Sequence, residues 1–131
     1  MKEINCEAFQ GKVNDLLIRH RSILDVLSKY HESNSRVNRS VAKSVTNCGC
    51  LSINAAKEVD SLEMEPEEFY SSRETHLAGK LCDSCKEIIE MELGNNLFYF
   101  VALCNILDLD MEEILKKEYG KISALGKFNL T

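Results

Sequence analysis

The chain has 131 residues, of which 44% are hydrophobic and 28% charged, with six Gly and a single proline, Pro66. That is ordinary globular usage, and it excludes wholesale disorder, a collagen-like chain and a many-turned β-sandwich. The net charge of −5 is uneven: nine Lys/Arg face five Asp/Glu over residues 1–57, and seven face sixteen over residues 58–131.

Net acidity argues against nucleic-acid binding of the non-specific duplex kind. The longest apolar run, Leu97 to Leu107, is 11 residues and includes Asn105, too short to span a membrane. The N-terminus lacks an apolar signal segment, which points to a cytoplasmic protein. The length suits one domain, expected to cover residues 1–131.

In chain order, the first periodic segment runs from Glu7 to His31. Phe9, Val13, Leu16, Leu17, Ile23, Leu24, Leu27 and Tyr30 follow helical spacing, which predicts one amphipathic helix. The polar stretch Glu32 to Ser35 is expected to end it, with a serine or Asn34 capping the next helix. That second helix should begin near Arg36 and use Val37, Val41, Val45 and Cys48. Gly49 weakens the helical pattern, which then continues through Leu51, Ile53, Ala55 and Ala56.

A polar, acidic segment follows to Glu68. Within it Glu65-Pro66-Glu67-Glu68 reads as the start of a short helix through His76, stopped at Gly79. A long helix is predicted from Leu81 to Ile106. Asp110 and Glu113 have capping-box spacing, so a last helix should cover Met111 to Ser123. An apolar tail at Phe128 and Leu130 is available to dock on it. No useful strand alternation is present. The expected fold is an all-α bundle of four main helices plus one shorter helix.

Six cysteines in a chain without an export signal point to metal ligands or buried apolar residues rather than disulfides. Two tight pairs, Cys48-Gly49-Cys50 and Cys82-Asp83-Ser84-Cys85, supply what a tetrahedral thiolate site needs. Cys82 and Cys85 share a helix face, at a first turn whose free N–H groups favour thiolate. Cys48 and Cys50 are harder to combine, because residues two apart in a regular helix point about 200° apart. Both can be ligands only if the helix breaks at Gly49. Zinc is the first expectation, an iron–sulfur cluster the second, and a redox dithiol at Cys82 and Cys85 the third. Cys6 and Cys104 lack a spaced partner, and Cys104 lies on an apolar face. His20 and His31 read as boundary residues of the first helix.

The segment from Glu92 to Leu115, ELGNNLFYFVALCNILDLDMEEIL, resembles the MazG-like all-α nucleoside triphosphate pyrophosphohydrolases, with their ELGD-type helix and LGIDLEEAL-type turn. Upstream, SVTNCGCL at Ser44 to Leu51 is similar to that family's first motif helix. The resemblance spans about Val37 to Ser123. It implies a nucleotide ligand and Mg²⁺ held by E-x-x-E and E-x-x-D carboxylates on facing helices. Here Glu92 matches, Asn95 stands where the family has Asp, Cys50 stands near the second Glu, and Thr46 or Asn47 near the first. One acid of four remains, and thiolate is a poor Mg²⁺ ligand. The resemblance thus leaves Glu92 and Asn95 as the residues of an alternative catalytic reading. The replacement of acids by cysteines favours a non-catalytic, metal-bound regulatory or interaction protein, with a protein partner. The chain also resembles a family of short bacterial cytoplasmic proteins sharing NRSVAKSVTNCGC-like and KLCDSC-like segments, a likeness that implies no activity.

The remaining charged groups read as solvated faces: Asp83, Glu87 and Glu90 on the long helix, and Arg19 and Arg21 with Arg36, Arg39 and Lys43, for which phosphate binding is the lesser alternative. Apolar residues on more than one side of the long helix predict a homodimer through Phe98, Tyr99 and Val101. The alternative is that residues near Phe69 and Phe128 cover that surface within one chain.

Overall fold

The computed structural model describes residues 3–17, 21–57 and 75–125. In chain order it contains α1 (Cys6–Leu16), α2 (Ile23–Lys43), a π-turn (Ser44–Cys48), β1 (Leu51–Ile53), β2 (Leu77–Gly79), α3 (Asp83–Ile106) and α4 (Met111–Leu125). The described residues are therefore mostly helical, with one small antiparallel ribbon. The chain divides into two compact units, Met1–Ser35 with Leu93–Thr131, and Arg36–Glu92.

In the first unit, α1 starts at Asn5, whose Oδ1 accepts the Ala8 N–H at 2.8 Å. Val13, Leu17, Val26, Val101 and Ala102 form the buried core, with Phe9, Phe98, Phe100 and Met111 packed against it. Cys104 is also buried, as its position on the apolar face implied. Gln10 fastens α1 to the turn between α3 and α4. Its amide donates to Asn105 Oδ1 and to the Leu109 carbonyl, and its Oε1 accepts the Met111 N–H. Asp110 caps α4 by accepting the Glu112 N–H.

Four expectations are corrected here. The single helix from Glu7 to His31 is two helices, α1 ending at Leu16 and α2 beginning at Ile23. Leu17 leaves helical geometry, its N–H donating to the Asn14 carbonyl, and the Arg21 guanidinium donates to the same carbonyl. Nor does a helix end at Glu32 to Ser35. Ser28, Ser33 and Ser35 turn their hydroxyls back onto the carbonyls of Leu24, Tyr30 and His31, so they stay inside α2 instead of capping a new helix. Val101 is fully buried in its own chain's core, so it is not an interface contributor; Phe98 and Tyr99 are half-buried.

The fourth correction is in the second unit. Leu51 to Ile53 form a strand, not a continued helix, and Gly79 lies in β2 rather than stopping a helix. The register pairs Leu51 with Gly79, Ser52 with Ala78 and Ile53 with Leu77. The ribbon is extended by the Asn54 N–H, which donates to the His76 carbonyl at 2.8 Å. The short helix expected from Glu65 falls mostly outside the described residues, as do His20 and the tail at Phe128.

Candidate metal centre

The site begins with the way α2 stops. A π-turn at Ser44–Cys48 closes with the Gly49 N–H donating to the Ser44 carbonyl at 2.9 Å. Gly49 then adopts φ 82°, a left-handed conformation that glycine reaches without a Cβ penalty. The break required for two ligands from Cys48-Gly49-Cys50 is therefore present. The chain reverses, and Cys50 leads directly into β1.

β2 returns the chain to the same place. Gly79, at φ 88°, lies against the Cys50 carbonyl oxygen, so closely that a Cβ there would overlap it. Three residues later the chain reaches Cys82, which takes the N-cap position of α3. Its carbonyl accepts the Lys86 N–H at 2.9 Å, and its Sγ lies 3.4 Å from the Cys85 backbone nitrogen, which donates to it. A sulfur here plays the part an Asp or Ser oxygen plays at an ordinary helix start. Cys85 follows at the third helical position, on the same face.

The ligand atoms of Cys48, Cys50, Cys82 and Cys85 all lie within 4.8 Å of one another. The Sγ atoms of Cys48 and Cys82 are 3.8 Å apart. A disulfide would need about 2.05 Å, and all six cysteines are free. Four sulfurs at about 2.3 Å from one tetrahedral ion stand about 3.8 Å apart by geometry. The cluster thus has the dimensions for a single metal ion. Cys48 is exposed, and the other three are half-buried.

The thiols are unequal. The Cys85 backbone N–H, followed by its side chain, lowers Cys82 to about 7. Hydrogen bonding to the Cys82 side chain, followed by desolvation, pushes Cys85 up to about 12. One thiolate is thus prepared at neutral pH, and an incoming cation must displace the Cys85 proton. Ion uptake therefore releases protons and weakens as pH falls.

The other candidates do not join this cluster. Cys6 is half-buried at the start of α1, and Cys104 is a core residue whose thiol burial pushes up. His31 is exposed. Glu92 is buried and its Oε2 accepts from Arg36 Nε at 3.0 Å, whereas Asn95 is exposed. Asp83, Glu87 and Glu90 are exposed on α3. Among the described residues, only the four cysteines gather as a group able to hold an ion. Sequence reading missed the Arg36–Glu92 pair, since nothing local links residues 56 positions apart; it also missed the role of Gly79.

No family model matches the chain, and no curated protein or solved structure matches it.

Proposed function

We propose that the chain is a non-catalytic, zinc-binding helical protein of the cytoplasm, with a regulatory or interaction role on a MazG-like scaffold. The observation that carries this reading is the approach of four cysteine sulfurs to within 4.8 Å. Four thiolates fill a tetrahedral shell and leave no position for substrate, the pattern of structural rather than catalytic zinc. An iron–sulfur cluster would spread its thiolates over more than one iron, and a group this tight suits one ion better. The MazG-like scaffold is supported by the resemblance from Glu92 to Leu115 and by the helical fold.

Protein purified without added metal should carry about one zinc per chain, as a four-cysteine site implies. Elemental analysis with an absorption spectrum tests this, because iron or labile sulfide would give colour and zinc gives none. Metal-free protein with six titratable thiols would sink the proposal.

A further expectation follows from the same reading. Glu92 is tied to Arg36 and Asn95 adds no charge, so Mg²⁺-dependent hydrolysis of nucleoside triphosphates should stay at background. Pyrophosphate release at about 1 s⁻¹ or faster, with loss of activity in Glu92→Gln, would establish the hydrolase reading instead.

We also propose a homodimer. Leu93 and Leu97 on α3 and Leu115 and Tyr119 on α4 are large apolar side chains left exposed by the single chain, and such surface commonly marks an interface. Light scattering should give about twice the 14.9 kDa chain mass. A monomer mass at micromolar concentration would refute it. Leu97→Glu should shift a dimer toward monomer.

A further inference from the structure

Arg36, Arg39 and Lys43 follow one another at intervals of three and four residues, which stacks them on one face of α2. This face and the first turns of α3 line a cleft of about 540 Å³, lying wholly within Arg36–Glu92. Arg39 and Lys43 are exposed to it. At the other end of the row, Glu92 lines the same cleft with a side chain only 8% exposed. One of its oxygens is taken by Arg36. The other, Oε1, is buried and has no hydrogen-bond partner among the described residues. A buried acceptor beside a cleft is favourable only when something supplies a donor, and a ligand reaches this one when the Glu92 side chain turns toward the cleft.

Charge decides the class of molecule. Arg36 already neutralises Glu92, so the donor that Oε1 needs is a neutral one, a hydroxyl. Arg39 and Lys43 leave two positive charges, which match a phosphate monoester at about −1.5 to −2 near pH 7. A single carboxylate would match only half of that. Length narrows the class further. Arg39 and Lys43 centre on residue 41, five residues from Arg36, or about 7.5 Å along a helix that rises 1.5 Å per residue. An extended chain advances about 1.2 Å per bond, so roughly six bonds separate phosphorus from the hydroxyl oxygen.

We propose that this cleft binds a phosphorylated sugar or polyol of about five carbons, its phosphate on Arg39 and Lys43 and a hydroxyl on Glu92 Oε1. The site borders the cysteine cluster but uses none of its sulfurs, so it stands or falls separately from the zinc reading. The competing role for the cation row is to offset the charge of four thiolates around a divalent ion.

The test is calorimetric titration of the full chain as purified, with ribose 5-phosphate, inorganic phosphate and ribose. Ribose 5-phosphate should bind at least about tenfold more tightly than inorganic phosphate, and ribose should give no heat. The Arg39→Gln/Lys43→Gln variant removes two exposed cations at little risk to folding. It should weaken ribose 5-phosphate by about 100-fold or more, since both contacts are charge-assisted. In Glu92→Gln, Arg36 keeps the amide oxygen and the NH₂ turns to the cleft, replacing an acceptor with a donor. That variant should lose about tenfold for ribose 5-phosphate and nothing for inorganic phosphate. The proposal is overturned by ribose 5-phosphate binding weaker than about 10 mM, by equal affinity for inorganic phosphate, or by a double variant that binds as the parent does. Loss of zinc retention in the double variant, with no ribose 5-phosphate binding by the parent, would assign the cations to the thiolates instead.

Discussion

On the proposed zinc reading, stripping the metal with a strong chelator should abolish amide hydrogen-exchange protection in the π-turn, both strands and the start of α3, while α4 keeps its protection. The reason is how little else holds the second unit together. Its buried apolar side chains, among the described residues, are Leu51 and Ile89. Two such side chains contribute about 3–6 kcal/mol, against roughly 1–2 kcal/mol of backbone entropy for each residue ordered. The ribbon adds only three paired positions. A structural zinc site of the proposed kind would contribute about 10–16 kcal/mol of apparent binding free energy, more than those two side chains supply. The first unit instead buries Val13, Leu17, Val26, Val101 and Ala102 in one core and needs no ion.

Cys82→Ser and Cys85→Ser should reproduce the effect of chelation, lowering both zinc content and melting temperature. Cys6→Ser should leave both unchanged, because Cys6 lies outside the cluster. Acid should act as the chelator does. Cys82, held low by the Cys85 backbone N–H, loses its thiolate as pH falls through about 7, and the ion loses that ligand with it. Zinc retention should decline over the same range and below, as protons compete for all four sulfurs. Unchanged exchange in metal-free protein would show that packing, not an ion, orders these residues.

The cysteine site was legible in sequence because its information is local. Two short spacings and a glycine between two of the ligands are all that the geometry requires, and Gly49 does supply the break. Among the described residues the helical class was legible, but the helix limits in the first half were not. Apolar residues keep helical spacing on both sides of Leu17, so periodicity alone does not register the break there. The serines of α2 carry cap chemistry, yet satisfy the preceding turn instead. The ribbon escaped notice because three-residue strands are too short to show alternation. Val101 looked like surface because a helix wheel identifies an apolar side without saying what covers it. Glu92 looked like a catalytic relic, and only the fold brings Arg36 to it.

Gly79 supplies the sharpest test of how ribbon and cysteines depend on each other. At φ 88°, any Cβ would be strained, and it would also overlap the Cys50 carbonyl oxygen, a backbone atom that cannot swing aside as a side chain can. Gly49 makes the matched control, since it has nearly the same φ of 82° but open space around the Cβ position. Gly49→Ala should therefore cost only the left-handed penalty, about 1–2 kcal/mol. Gly79→Ala carries that penalty plus displacement of β1 from β2, for a total of about 3 kcal/mol or more. Moving β1 also moves Cys50, the residue immediately before it, away from Cys82. In a zinc-bound state ion binding and folding share one free energy, so the loss should appear in both. Zinc affinity should fall roughly tenfold in Gly49→Ala and more than 100-fold in Gly79→Ala, measured by competition with a chromophoric chelator. Equal tolerance of the two substitutions would mean that the close approach of Gly79 to Cys50 does not position the fourth sulfur.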